Sequence, residues 1–293
     1  MTLTSLLVVL ILQACGGGGQ SAQGITIKGS DTQVNLLLRL GERYMALHPN
    51  TAISITGGGS GTGLAALLRG QTDLAASSRA ITQPEQDRAK SSRIAPRSFV
   101  IALDGLALIV HSENPLSALS LEQAAQIFRG NIRRWDELGS DPKTITLYGR
   151  QGNSGTFIYF RDHVVQSDYS QAMYQMSGNA QIVEAVRHDM HGIGYVGLGY
   201  VVHPDGRVVE GIKILSLRVE GEAVSPLQAD AIINGRYPLL RPLFQYTDGK
   251  PTGEVREFLR FILSPEGQKL VAEEGFYAVS NPYLRSNEES LSL

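Results

Sequence analysis

Three loops of glycine, serine and threonine constrain the fold of this chain most, because each lies between a predicted strand and a predicted helix. Their sequences are GSDT at 29–32, GSGTG at 59–63 and GNSGT at 152–156. A helix that begins directly after such a loop presents backbone N–H groups without partners and a partial positive charge. Because small residues let the backbone approach a ligand closely, three such helix ends side by side would form a cage of uncharged donors for an anion.

An arginine accompanies the third loop. Arg150 follows the predicted strand at 145–148 and precedes Ser154 by four residues. Its guanidinium group can bind an anion through two parallel N–H bonds. In any single loop, the serine and threonine could serve only to cap the following helix. The combination of three such loops with an arginine favours an anion site.

Strand and helix patterns alternate along the rest of the chain. The spacing of apolar residues predicts strands at 25–28, 52–56, 73–76, 99–110, 145–148, 192–201, 213–217 and 243–246, and helices at 34–47, 64–68, from 84 onward, 121–128, 152–163 and 255–273. This alternation is typical of an α/β architecture with largely parallel sheets. The length of 293 residues is near the size at which one hydrophobic core divides, which predicts two lobes. The polar tail at 286–293 is predicted to be frayed.

A short apolar run near the N-terminus explains the single cysteine. The run LLVVLIL at 6–12 has the length of a signal-peptide core and is too short for a membrane span, which needs about 20 residues. The residues LQAC at 12–15 resemble the lipobox of bacterial lipoproteins. We therefore predict a lipoprotein signal peptide at 1–15, lipidation of Cys15 and a flexible tether at 16–24. A free cysteine in a frayed tail is the alternative, and the absence of Lys and Arg from 1–5 leaves open a start upstream of this methionine.

Charge and cysteine content exclude several classes of protein. The chain has 26 Lys and Arg against 28 Asp and Glu, so no global positive field favours nucleic acid. One cysteine excludes an intramolecular disulfide framework and a metal site built from several cysteines. Glu184, His188 and His191 could share a helical face as metal ligands, but Gly192 ends that segment at once, so a metal site there is the weaker interpretation.

Other glycine motifs do not match the three loops. A nucleotide phosphate loop needs Lys-Ser or Lys-Thr after its last glycine, whereas Gly63 is followed by Leu64. A dinucleotide fingerprint needs an acidic residue after the next strand, where 77–79 reads SSR. The hydrolase motif G-x-S-x-G has Thr62 or Thr156 in place of its last glycine. These mismatches favour a binding site without a cofactor over an enzyme.

Six stretches of the chain resemble the phosphate-binding proteins of bacterial phosphate ABC transporters, the PstS-like family. They are distributed along the chain after the predicted signal peptide, from residue 25 to residue 279, in the family's order: ITIKGSDTQVNLL (25–37), ITGGGSGTGLAALLRGQTDLAASSRAI (55–81), DGLALIVHSENPLSALSLEQAAQIFRGNIRRWDELG (104–139), GRQGNSGTFIYF (149–160), GIGYVGLGYV (192–201) and FLRFILSPEGQKLVAEEGFYAV (258–279). The resemblance implies the α/β type II periplasmic-binding-protein fold, with two lobes, a hinge and a ligand cleft between them. We place lobe 1 at 25–106 plus 238–293 and lobe 2 at 107–237, with the crossings near 104–110 and 237–244.

The resemblance also implies a function. It predicts an extracytoplasmic solute-binding protein that binds inorganic phosphate and delivers it to the permease subunits of an ABC transporter. The expected form is a monomer without enzymatic activity, cofactor, metal or nucleic-acid partner. The lipid on Cys15 would anchor it to the bacterial membrane, on the periplasmic or cell-surface side.

Nine residues are predicted to hold phosphate, eight at positions that hold it in the family and Ser30 from the same first loop. They are Ser30, Asp31, Thr32, Ser60, Ser78, Arg150, Ser154, Gly155 and Thr156. Two of them depart from the family's pattern, because Asp31 stands where the first loop has a threonine and Ser78 stands where an aspartate follows the third strand. A carboxylate can accept the hydrogen of a protonated phosphate, and sulfate has no such hydrogen, so Asp31 would select phosphate. The alternative role for Asp31 is to cap the helix at 34–47. Arg79, which follows Ser78, could pair with Asp31 or with Asp73 and never touch the ligand.

Two other functions stay open at this level. Sulfate, molybdate or tungstate would be bound by the same cage, although these ions offer no hydrogen to Asp31. A phosphatase or a phosphate-sensing protein would need a general base or a metal beside the site, and no histidine lies in the three loops.

Overall fold

The computed structural model describes residues 23–203 and 205–292. The predicted signal peptide, Cys15 and residues 16–22 lie outside these described residues. Gln23 and Gly24, predicted as the end of the tether, instead begin the first strand. No helix within the described ranges is long and apolar enough to cross a membrane.

The described residues form an α/β structure, as the alternating pattern predicts. The strands are β1 (Gln23–Gly29), β2 (Thr51–Thr56), β3 (Leu74–Ser77), β4 (Pro96–His111), β5 (Ala118–Ser120), β6 (Thr146–Arg150), β7 (Tyr174–Met176), β8 (Gly192–Gly197), β9 (Ile212–Val219), β10 (Glu222–Val224) and β11 (Leu240–Asp248). The α-helices are α1 (Val34–Leu47), α2 (Ser60–Leu67), α3 (Gln83–Ser91), α4 (Leu121–Arg129), α5 (Gly155–Phe160), α6 (Asn179–Arg187), α7 (Ala229–Ile233), α8 (Gly253–Leu263), α9 (Pro265–Glu273) and α10 (Asn281–Ser292).

The main sheet has two parts that share β4. The first part has the order β2-β1-β3-β11-β4, in which β1 is parallel to β2 and β3 while β11 is antiparallel to its neighbours. The second part has the order β7-β6-β8-β4-β9, in which β6 is parallel to β7 and β8 while β4 is antiparallel to its neighbours. We call the first part with its packed helices the first lobe, and the second part with its packed helices the second lobe. The sheets are thus more mixed than the pattern predicts, because β11 in the first part and β4 in the second part run antiparallel to their neighbours.

Strand β4 passes from one lobe to the other. Its residues 96–105 pair with β11, whereas residues 106–111 pair with β8 and β9. It is buried without interruption from 99 to 110, which explains the long apolar run in the sequence, since such a strand is covered on both faces.

Each lobe has a hydrophobic core of its own. In the first lobe, Leu37 of α1 and Phe258 of α8 belong to one buried cluster with Phe99 of β4. In the second lobe, Phe128 of α4 and Tyr195 of β8 belong to another cluster. Burial of a side chain of this size contributes about 1.5–3 kcal/mol. The lobes therefore do not depend on one shared core, although they share β4.

Two segments near the C-terminus differ from the prediction. The predicted helix at 255–273 is divided into α8 and α9, because Pro265 has no N–H to continue the first helix and instead opens the second. The prediction of a frayed tail is wrong as far as Ser292, since α10 covers it. Asn287 of α10 is buried and pairs with both backbone groups of Val100, at 2.9 and 2.7 Å. This contact joins positions 187 residues apart, so no local pattern could indicate it.

Candidate anion-binding site

The first two loops lie side by side at the ends of parallel strands in the first lobe. The Gly59 N–H donates to the Gly29 carbonyl at 2.9 Å, and the Ser30 N–H donates to the Ala76 carbonyl at 2.9 Å. Because the carboxyl ends of parallel strands meet at one edge of a sheet, the ends of β1, β2 and β3 converge here. Helix α2 starts directly from this edge.

The third loop reaches the same place from the second lobe. The Asn153 carbonyl accepts a hydrogen bond from the Gly61 N–H at 3.0 Å, and the Asn153 amide donates to the Gly58 carbonyl at 2.9 Å. Ser154 caps α5, because its hydroxyl accepts from the Thr156 N–H at 3.2 Å. The starts of α2 and α5 thus lie against each other across the two lobes.

An ion pair joins the lobes beside these loops. Arg150 Nη2 lies 2.5 Å from Asp31 Oδ2 and donates to the Ser177 carbonyl at 2.8 Å. The Arg150 side chain is 2% exposed and that of Asp31 is 19% exposed. A buried guanidinium group needs such partners, since an uncompensated charge in this position is strongly destabilising.

Asp31 does not cap the following helix. Its Oδ1 accepts from the Gly58 N–H at 2.7 Å, and the residue at the N-cap of α1 is Gln33. The Tyr200 hydroxyl donates to the Asp31 carbonyl. Burial, assisted by the Asp31 charge, raises the pKa of Tyr200 to about 12, so the phenol stays a donor at neutral pH. The Asp31 carboxylate therefore connects the second loop with Arg150.

Four hydroxyl groups form two close pairs in this region. Thr32 Oγ1 lies 3.1 Å from Thr156 Oγ1, and Ser60 Oγ lies 3.4 Å from Ser78 Oγ. Gly155 faces the serine pair, because a Cβ atom at this position would lie 2.3 Å from Ser60 Oγ. Direct contacts thus connect predicted residues of all three loops with Ser78 at the end of β3.

Two buried side chains that sequence reasoning missed also reach this region. Asn179 Nδ2 donates to Thr32 Oγ1 at 3.4 Å, and Arg241 Nη2 donates to Thr156 Oγ1 at 3.1 Å. Asn179 opens α6 after Ser177 and Gly178, so a fourth loop of small polar residues could have indicated it. Arg241 lies inside strand β11 and carries no local signal.

Some buried polar atoms beside the loops have no partner among the described residues. They are Arg150 Nε, Arg241 Nη1 and Asn179 Oδ1. Buried polar atoms are normally hydrogen-bonded, and an exception calls for an explanation. Of these, Arg150 Nε is a donor and Asn179 Oδ1 is an acceptor, which an oxyanion carrying a hydrogen could satisfy.

Arg79 pairs with neither Asp31 nor Asp73, contrary to both alternatives from the sequence. Its two terminal nitrogens each lie 2.7 Å from an oxygen of Glu85, in a bidentate pair near the start of α3. Asp73 instead accepts from the Thr26 N–H at 2.7 Å. Asp73 and Glu85 are both six residues from Arg79, so the capping turn at Thr82, which brings Glu85 back towards the arginine, decides the partner.

The Arg79–Glu85 pair makes stability depend on pH. Burial would raise the pKa of Glu85, but hydrogen bonds from Arg79 and Thr82 outweigh it and lower the pKa from its usual 4.5. The stabilisation is therefore complete above that usual value and is lost as the pH falls through the lower value of the folded state. We expect Glu85→Gln to reduce the free energy of unfolding by about 1–3 kcal/mol at neutral pH, with a difference that shrinks in acid.

Urea unfolding of both proteins at several pH values measures this difference. Asp87→Asn is the matched control, because Asp87 lies on the same helix with a side chain 60% exposed, and we expect little change from it. A Glu85→Gln difference that stays constant from neutral to acidic pH would contradict the role of the pair.

The weaker interpretation of Glu184, His188 and His191 as metal ligands gains no support. His188 Nε2 lies 3.7 Å from Glu184 Oε2 on an exposed face of α6. Within the described residues, no group of three or more His, Cys, Asp or Glu side chains is placed to hold a metal ion.

Comparisons with known proteins agree with this geometry. A model of the PBP superfamily domain matches residues 16–266. The phosphate-binding protein PstS of Pseudomonas aeruginosa is 31% identical over 85% of this chain and 80% of its own length. PstS of Staphylococcus aureus strain MRSA252 is 30% identical over 94% of this chain and 86% of its own length.

Solved structures have the same fold. A structure described as a phosphate ABC transporter substrate-binding protein with bound phosphate, from Clostridium perfringens, has a TM-score of 0.78 at 26% identity and covers 88% of this chain and 100% of its own. An ABC-type phosphate transport receptor from Vibrio cholerae has a TM-score of 0.68 at 27% identity, with 87% and 100% covered. The predicted periplasmic-binding-protein fold is thus confirmed. This chain belongs to the PBP superfamily and, within it, to the family of the PstS phosphate-binding proteins.

Proposed function

We propose that this protein binds inorganic phosphate between its two lobes and delivers it to the permease of a phosphate ABC transporter outside the cytoplasm. The observation that carries the proposal is the buried Arg150, paired with Asp31 across the lobes and surrounded by the starts of α2 and α5. Helix starts, hydroxyl groups and one guanidinium group bind a tetrahedral oxyanion through many charge-assisted hydrogen bonds. The relatives named phosphate-binding proteins support the same ligand.

The nine predicted residues are proposed as the phosphate site. Ser30, Asp31, Thr32, Ser60 and Ser78 would come from the first lobe, and Arg150, Ser154, Gly155 and Thr156 from the second. Asn179 is proposed as a further member, because its unpartnered buried oxygen could accept a hydrogen from the ligand.

Release and capture would follow from a hinge motion of the lobes. The limits that we propose are 25–106 plus 238–293 for the first lobe and 107–237 for the second. The change of partner in β4 between 105 and 106 supports the first limit, and the start of β11 at Leu240 supports the second. Two cores joined by β4 and by the chain that leads into β11 allow closure around a ligand.

Anchoring and assembly belong to the same proposal. A lipid on Cys15 would hold a monomer at the membrane surface through the tether that follows. One acyl chain gives only weak attachment, so stable anchoring would need more than one. Mass spectrometry of the protein purified from membranes would detect the acylated cysteine, and an unmodified N-terminus would contradict this part.

Binding alone, without catalysis, is proposed for the site. A phosphatase would need a general base, and the three loops contain no histidine. Calorimetric titration with phosphate and with sulfate at two pH values tests the ligand, and assay with a phosphoester tests for hydrolysis. Tight binding of phosphate without release of product is expected. Preferential binding of sulfate or molybdate, or release of product, would favour the alternative functions.

Asp31→Asn should weaken selection between phosphate and sulfate. The carboxylate accepts hydrogen bonds from both Arg150 and the Gly58 N–H. The NH₂ group of an asparagine amide would face one of these two donors and could not accept its hydrogen bond. The variant would also lose an acceptor for the ligand's hydrogen. We expect the ratio of phosphate to sulfate affinity to fall by about tenfold or more, which corresponds to about 1.4 kcal/mol.

Calorimetry with both anions measures that ratio. Asp73→Asn is the matched control, since Asp73 accepts a backbone hydrogen bond from Thr26 outside the loops, and it should leave the ratio unchanged. An unaltered ratio in Asp31→Asn would assign the acceptor role to another group, with Asn179 as the first candidate.

A further inference from the structure

A second buried ion pair lies behind Thr156. Asp104 of β4 and Arg241 of β11 are directly opposite each other in the antiparallel register. Arg241 Nε and Nη2 lie 3.0 and 2.8 Å from Asp104 Oδ2, and the two side chains are 1% and 0% exposed. A neutral apolar pair would be no less stable at such a buried position, so the presence of two charges calls for a role.

The pair lies on the first-lobe side of the strands β4 and β11 and contacts the second lobe. Asp104 Oδ1 accepts from the Leu198 N–H, just after β8, at 3.1 Å. Arg241 lies over the ring of Tyr159 in α5, with 5.3 Å between its central carbon and the ring centroid. The same guanidinium group donates through Nη2 to Thr156 Oγ1 at 3.1 Å. The arginine is therefore held in place on three sides.

This contact decides the direction of the Thr156 hydroxyl. A guanidinium group can only donate hydrogen bonds, so the Thr156 oxygen must accept from Arg241 and its own hydrogen must turn elsewhere. The next oxygen is Thr32 Oγ1 at 3.1 Å, inside the proposed phosphate site. The bond from Arg241 uses one of the two lone pairs of the Thr156 oxygen and turns the hydroxyl hydrogen towards Thr32 and towards an acceptor in the site.

We propose that Arg241, oriented by Asp104, is a positioning residue that makes the Thr156 hydroxyl a fixed donor to the bound anion. Arg241 acts through Thr156 and does not itself bind the ligand. The inference rests on the proposed function, because it assigns a role to residues behind the phosphate site. It also places the hydrogen of the ligand away from Thr156, on the side of Asp31 and Asn179.

A double-mutant cycle separates this role from a general effect on the fold. Asp104→Asn combined with Arg241→Gln removes both charges, so no lone charge stays buried, and glutamine is too short to reach Thr156 in the same way. Thr156→Val removes the hydroxyl at nearly constant shape. We expect each change to weaken phosphate binding in calorimetry about tenfold, and the triple variant to bind no more weakly than Thr156→Val alone.

Independent effects would overturn the inference. If the losses multiply to about a hundredfold in the triple variant, or if the charge-pair variant binds like the unmodified protein, Arg241 does not act through Thr156. Arg241→Lys keeps the charge opposite Asp104 and serves if the first variant does not fold. The lysine ammonium group lacks the planar fork of arginine, so we expect Arg241→Lys to weaken phosphate binding as the charge-pair variant does. In a protein that already carries Thr156→Val, Arg241→Lys should cause no further loss of affinity. Failure of the unmodified protein to bind phosphate would instead contradict the proposed function itself.

Discussion

Arg150→Ala is expected to abolish phosphate binding while the fold stays intact. The guanidinium group is the buried cation of the three loops and the charge partner of Asp31. Its removal takes away the charge-assisted bonds to the anion and leaves the Asp31 carboxylate, a like charge, beside the ligand. Truncation of one partner of a buried, hydrogen-bonded charge pair costs about 2–5 kcal/mol of binding free energy, which corresponds to a factor of about thirty to several thousand in affinity.

Calorimetric titration with phosphate measures the affinity, and circular dichroism with thermal unfolding checks the fold. Arg161→Ala is the matched control, because Arg161 is 42% exposed and pairs with Asp162 on the surface. It should bind like the unmodified protein. Binding of phosphate by a folded Arg150→Ala protein at micromolar concentration or tighter would refute the assignment of the site.

Gly155→Ala is expected to weaken binding without loss of stability. A Cβ atom at this position would lie 2.3 Å from Ser60 Oγ and 2.6 Å from Ser78 Oγ. Both serines are buried, and Ser60 Oγ is held by the Ser78 N–H at 3.1 Å. The added methyl group would therefore keep α5 of the second lobe away from the first lobe. Overpacking of this kind costs about 1–3 kcal/mol, so binding should weaken about tenfold to a hundredfold.

The stability of each lobe should not fall, because the clash is between lobes and alanine suits a helix better than glycine. Gly152→Ala is the matched control in the same loop, since no heavy atom lies within 4 Å of a Cβ atom there. Calorimetry with phosphate and thermal unfolding of both variants compare the two effects. Equal affinities for Gly155→Ala and Gly152→Ala would show that the lobes need not approach this closely.

The parts of the site that follow strands were predictable from residue order. Small residues between a strand and a helix indicate a helix start from local sequence alone. The carboxyl ends of the parallel strands β1, β2 and β3 must then meet at one edge of the sheet. Helix α1 begins and ends at the predicted residues 34 and 47, because its apolar spacing and the His-Pro-Asn stop are local. The position of Arg150, close in sequence to the Ser154 cap, is local in the same sense.

Partners that depend on a turn or on a distant strand were not predictable in this way. The pairing of Arg79 with Glu85 instead of Asp31 or Asp73 depends on the turn at Thr82. Helix α10 is joined to β4 by two hydrogen bonds between Asn287 and the backbone of Val100. A polar segment without apolar spacing carries no sign of such a distant contact.

By itself, the sequence determined that the chain alternates strands and helices. It also predicted the three loops and the arginine that we propose as the anion site, because these properties depend on residues close to one another along the chain. Only the tertiary structure decided that Asp31 joins Arg150 instead of capping α1, and that Asp104 and Arg241 meet behind Thr156. The reason is physical. A buried charge must find its partner within a few ångströms in space, and β4 and β11 bring together residues that are 137 positions apart.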